Sequence, residues 1–103
     1  MPVYLITFRQ RALMEYAEST AWYKERSLQA AQNFVTVLEN ALKAIANSPY
    51  TYRNSYKNFY EVKIKKFPFN IVYFIDESEQ RIIVTTIFHQ KRNQFHRSQL
   101  QLH

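Results

Sequence analysis

The chain runs to 103 residues without a single glycine. Glycine takes a left-handed backbone at no steric cost and lets main chain close around a phosphate, and about 7% is usual. Its absence excludes both a glycine-rich phosphate loop and the dinucleotide-binding fingerprint. Turns fall instead to Asn, Asp, Ser and Pro, and the candidates are Asn47-Ser48-Pro49, Asn54-Ser55, Phe67-Pro68 and Asp76-Glu77-Ser78. Cysteine is absent as well, which removes disulfides, thiolate metal sites and dithiol redox chemistry. The composition points to no metal and no cofactor.

With 47% hydrophobic residues, the chain can fill one modest core, so residues 1–103 are expected to form a single domain. Its apolar runs fall far short of the roughly 20 residues that cross a bilayer, and the opening residues lack a signal-peptide layout. A cytoplasmic location without a membrane partner is expected. The net charge of +6 is uneven. Residues 1–48 hold five Lys or Arg against four Asp or Glu, and residues 49–103 hold nine against four. The second half is therefore expected to face something anionic, and RNA, DNA or an acidic protein all satisfy unshaped charge.

The hydrophobic period changes three times along the chain. Residues 3–8, rich in β-branched and aromatic types and too short for a helix, are expected to form a first strand. From Arg11 to Arg26 the spacing of Leu13, Tyr16, Ala17, Thr20, Ala21 and Lys24 predicts a helix with that face inward. Ser27 is placed to cap a second helix, whose stripe of Ala31, Phe34, Val35, Leu38, Ala41, Leu42 and Ile45 is the cleanest periodic signal present. Asn47 is expected as a left-handed stop before Pro49, and Tyr50 to Asn58 as a polar, tyrosine-rich connection.

Beyond it the period becomes two. Tyr60, Val62 and Ile64 alternate with Glu61, Lys63 and Lys65, which places the apolar set on the helices and the charges on the opposite face. Residues 69–75 are apolar at nearly every position, as an interior strand requires, and Asp76 to Arg81 form a polar loop to a last strand, Ile82 to His89. The expected fold is α+β in the order βααβββ, a helical hairpin packed on one face of a mainly antiparallel four-stranded sheet. Residues 90–103 form a basic C-terminal tail, either an edge strand or a partly ordered arm.

Three stretches together resemble the RelE/ParE toxin superfamily. They are Ala21-Trp22-Tyr23 with the following Ala30-Ala31-x-x-Phe34, then Lys66-Phe67-Pro68-Phe69-x-Ile71-x-Tyr73, and finally Ile87-Phe88-His89-Gln90-Lys91-Arg92-Asn93. The resemblance covers nearly the whole chain and implies the toxin half of a type II toxin–antitoxin pair, with growth inhibition and plasmid stabilization as its setting. It also implies a cognate antitoxin whose acidic, partly disordered segment folds around the toxin. One branch of the superfamily cuts mRNA at the ribosome; the other poisons DNA gyrase.

Metal-free RNA cleavage needs a base, an acid and a fixed cation near one phosphate. The nuclease branch commonly supplies an arginine early in the third of the four expected strands, where this chain has Asn70. It also follows a terminal His or Arg with a nearby Tyr, where His89 matches but Gln90 comes next. The candidate catalytic residues are His89, which titrates near neutrality, and Glu61 as a base. Candidate contacts to nucleic acid or to the target are Lys63, Lys65, Lys91, Arg92, Arg53 and Lys57. Trp22 and Tyr23 are candidates for the antitoxin contact. These departures favour a ParE-like toxin that binds a nucleic-acid-handling target such as DNA gyrase. The alternatives are a RelE-like, ribosome-dependent, metal-independent mRNA endonuclease, and a non-toxic binding module that keeps only the fold.

Overall fold

The computed structural model describes residues 3–91. The elements are β1 (Leu5–Phe8), α1 (Gln10–Arg26), α2 (Leu28–Asn47), β2 (Arg53–Tyr56), β3 (Phe59–Lys63), β4 (Phe69–Asp76) and β5 (Arg81–His89). They build an α+β fold in which two helices cover one side of a five-stranded mixed sheet, ordered β1-β5-β4-β3-β2. The pairing of β1 with β5 is parallel, and the other three are antiparallel.

Four strands were expected; the fifth is β2. All four of its residues are exposed, so it has no buried face and leaves no alternation in the sequence. Backbone pairing to β3 makes it a strand, with a register shift between Asn54 and Tyr56 that shortens an open edge. The Asn54 side chain donates to the carbonyls of Lys57 and Phe59, closing the tight turn that follows.

The helices obey their stripes unequally. In α2, Ala31, Phe34, Leu38, Leu42 and Ile45 are buried as the period demands, and the Ser27 hydroxyl accepts from the Ala30 amide at 3.1 Å as the cap. Phe34 is fully buried and meets Tyr23, Phe67 and Phe69 at centroid distances of 5.1, 5.3 and 5.2 Å. In α1 the inward face is rotated from the predicted one and keeps only Tyr16 of the named set against the core. Ala12, Tyr16, Ser19 and Tyr23 turn toward the sheet, while Leu13 remains 51% exposed. Glu15 gives the physical reason. Beyond Phe8 the β5 edge has no strand beside it, and the Glu15 carboxylate accepts from the Ile87 amide at 2.9 Å and the Thr86 hydroxyl at 2.6 Å. Satisfying that edge fixes the helix rotation more firmly than burying three small apolar side chains would.

Asn47 ends α2, but it is not left-handed. Ser48 follows at φ −149° and ψ 68°, off the helical backbone, and Pro49 then prevents continuation. The left-handed positions are Lys57, Lys66 and Gln80, at φ 49°, 73° and 50°, one in each connection between β2 and β5. In a chain without glycine, long polar side chains hold these positions at a steric cost of roughly 1–2 kcal/mol each.

At the far end of the sheet, the Glu77 carboxylate accepts from the Tyr4 hydroxyl at 3.1 Å and from the Tyr50 hydroxyl. The carboxylate pushes the Tyr50 phenol above its ordinary value, while burial is the larger cause of the rise at Tyr4. Three distant segments are thereby joined beside the β4–β5 connection. No helix among the described residues is long and apolar enough to cross a membrane.

Candidate target-binding face

Directly paired residues in a sheet share a side. Phe69, Ile71, Tyr73 and Ile75 are buried beneath the helices, so Asn70, Val72, Phe74 and Asp76 lie on the open side. Register carries that division across the sheet. Glu61 stands opposite Val72 and Lys63 opposite Asn70, and Arg53 of β2 stands opposite Glu61. Phe88 lies on the same side as Asn70, although only 4% exposed, while His89 pairs with Phe69 on the helix side.

Glu61, Asn70 and Gln90 form one bonded row across the open side. The Gln90 side-chain amide donates to Asn70 Oδ1 at 2.9 Å, and Asn70 Nδ2 donates to Glu61 Oε2 at 2.5 Å. Glu61 was expected on a solvated face; it is on that face but only 6% exposed, and Asn70 only 8%. A carboxylate so buried needs donors, and Asn70 supplies one where an arginine would bring charge.

His89 lies elsewhere. Its ring meets Phe69 edge-on at 5.1 Å, and Nδ1 accepts from the Lys91 amide at 3.1 Å, which requires that nitrogen to be unprotonated. The two candidate catalytic residues thus leave opposite sides of the sheet. The structure joins Glu61 with Arg53, Lys63 and Asn70, and does not join it with His89.

The remaining candidates are spread along the rim. Lys63, Lys65 and Lys91 are exposed at the end where β3 and β5 finish and β4 begins. Lys57 occupies the β2–β3 turn at the other end, its ammonium 5.3 Å from the Tyr56 ring. Arg92 lies outside the described residues, as does the tail from 92 onward. Tyr23 is taken up by Phe34, Phe67 and Phe69, whereas Trp22 is 38% exposed beneath the Arg26 guanidinium at 3.7 Å. Among the described residues no cluster of His, Cys, Asp and Glu could hold a metal.

Two features escaped the sequence reading. Arg9, just past β1, sits 5.6 Å from the Phe74 ring on the open side, and no period marks it. A groove of about 370 Å³ runs between the helices, lined by Thr20, Lys24, Leu28, Ala31, Gln32, Val35 and Thr36. Leu13, Met14 and Leu28 are also exposed on the helical hairpin. The apolar set assigned inward in α1 was the available signal for this surface.

This architecture is that of small toxins solved alone and with their antitoxins. It is similar to the chromosomal ParDE system of P. aeruginosa, with TM-score 0.70 and 10% identity over 84% of this chain and 96% of that one. It is similar to isolated E. coli RelE, with TM-score 0.54 and 16% identity over 96% and 97%. The RelBE2 toxin–antitoxin complex of Mycobacterium tuberculosis gives 0.57 and 14% over 86% and 93%. No curated protein sequence matches the chain. The family model for the ParE toxin of type II toxin–antitoxin system, parDE, matches residues 6–94. The chain belongs to this ParE toxin family, within the RelE/ParE superfamily.

Proposed function

We propose that this toxin arrests growth in the gyrase-directed manner, by occupying a nucleic-acid-handling target such as DNA gyrase, without making or breaking a bond. The observation that carries this reading is the commitment of Asn70 at both ends of its amide, to Glu61 and Gln90, while His89 faces the other side. A base, an acid and a cation do not converge on one phosphate-sized space among the described residues. We also propose neutralisation by a cognate acidic antitoxin. The groove between the helices, with the exposed Leu28 in its lining, fits an amphipathic segment, and Lys24 in the same lining fits that segment's acidic positions. Tyr23 supports Trp22 from below.

One observation favours the second reading, a ribosome-dependent mRNA endonuclease. Arg53 and Lys63 flank Glu61 and Asn70 on the open side, so two cations do stand beside a carboxylate. Purified toxin added to gyrase with relaxed DNA, and separately to translating ribosomes, decides between them. Loss of supercoiling that is restored by the antitoxin, with mRNA intact, is the expected result. Codon-dependent mRNA cuts that disappear in Glu61→Gln would replace the gyrase reading with the nuclease one.

A further inference from the structure

Two exposed cations lie in the last turn of α1, three in and after the end of β3, and one just past β5, far apart in sequence. The fold collects them at one end of the molecule. Helix α1 runs alongside β5, with Glu15 at Ile87 and Tyr23 reaching Phe67 and Phe69. The β3–β4 connection meets the end of β5 there, where the Gln90 amide donates to the Pro68 carbonyl at 2.7 Å. The result is that Lys24, Arg26, Lys63, Lys65, Lys66 and Lys91, all exposed, stand at this end of the molecule, called the rim below. Among the described residues only Arg26 of these six makes an ion pair, with Glu25 at 3.6 Å.

Helix electrostatics account for part of this. Lys24 and Arg26 complement the negative end of the α1 dipole. The four lysines of the sheet end gain nothing from a helix dipole, and among the described residues none of them makes an ion pair. Lys66 moreover holds a left-handed position, where glycine would be unstrained.

We infer that this rim is a docking surface for the phosphate backbone of duplex DNA, contacted without reading sequence. Lysine is depleted at the cores of protein–protein interfaces, whereas spaced lysines are the ordinary means of holding a phosphate backbone. Single-stranded nucleic acid would call for exposed aromatic rings to stack its bases. Here Phe67 and Phe69 pack against Tyr23 and Phe34, and the Trp22 face is covered by Arg26. The choice of DNA over double-stranded RNA rests on the gyrase-directed reading, since that enzyme works on DNA. The toxin then bridges target and DNA, holding the first by its open face and the second by its lysine end.

The test uses the purified full chain and a labelled duplex of arbitrary sequence, without gyrase, so that binding is measured separately from inhibition. DNA binding without gyrase inhibition would sink the gyrase reading and leave the surface standing; inhibition without DNA binding would do the reverse. Fluorescence anisotropy is expected to show binding at low salt, with a log–log salt slope of about −4 to −5 for five or so phosphate contacts. Lys65→Glu with Lys66→Glu should weaken it at least tenfold. Lys43→Glu, exposed in the later part of α2 and away from the rim, should change it less than about twofold. Lys66→Gly gives a signature that damage to the fold cannot imitate. Relief of the left-handed strain should raise Tm by about 2–6 °C while binding weakens. The inference fails if duplex DNA does not bind, or if Lys43→Glu weakens binding as much as the rim variant. It fails too if a double-stranded RNA of equal length or an acidic peptide binds more tightly.

Discussion

Phe34→Ala is expected to cost about 3–5 kcal/mol, the range for truncating a buried phenylalanine whose site collapses only partly. Phe34 is fully buried, and it touches Tyr16 and Tyr23 of α1 as well as Phe67 just before β4 and Phe69 at its start. Its removal loosens the helical hairpin from the sheet where α1, α2 and the entry to β4 meet. A single domain has about 5–15 kcal/mol in all, so the loss is large enough to show as a marked drop in the urea midpoint. Phe34→Leu keeps most of the volume and should cost less than half as much. Equal costs for the two variants would mean that filling the volume does not hold the layers together, and that the ring contacts carry the whole effect.

The second large effect is expected at Asn70. Replacement by leucine removes the donor to Glu61 Oε2 and the acceptor for the Gln90 amide, both on the poorly exposed strip of the open face. A hydrogen bond to a buried charge is worth roughly 1.5–3 kcal/mol, and the unpaired group adds its desolvation cost, so a loss of about 2–3 kcal/mol is expected. If the pair acts as described, adding Glu61→Leu to Asn70→Leu costs less than the two single changes summed. Additive costs would show that the two side chains do not depend on each other.

Much of this architecture is legible in the sequence because most elements bury one face. The α2 stripe and the Ser27 cap both hold at the residues named. The alternation at Tyr60, Val62 and Ile64 and the continuous run from Phe69 survive as β3 and β4 with the apolar sets on the helix side, although in β3 the buried residue is Glu61 of the other face. Strand β2 is not legible, because it contributes backbone pairing and no side chain to the core. The α1 rotation is misread for a related reason. Leu13, Ala17 and Ala21 look like a core face, yet the constraint that sets the rotation is the carboxylate of Glu15 on an edge amide. Periodicity does not see polar satisfaction.

The candidate site is legible in identity but not in arrangement. Asn70 and Gln90 stand out as departures from the nuclease branch, and their bond to each other depends on a β4–β5 register that carries a shift between Val72 and Tyr73. Glu61 and His89 look equivalent as titratable strand residues. Only the pairing of Glu61 with Val72 and of His89 with Phe69 separates them onto two sides. The lysine rim joins positions 24 and 91, and no local pattern anticipates that meeting.

A growth assay of the chain carrying Glu61→Gln and His89→Ala together, beside the parent and without antitoxin, bears most directly on a toxin that occupies its target and performs no chemistry. Arrest as strong as the parent's, at equal protein level, is the outcome required. Restored growth from a folded double variant would mean that these side chains do chemical work, and that occupation of a surface is not how this protein acts.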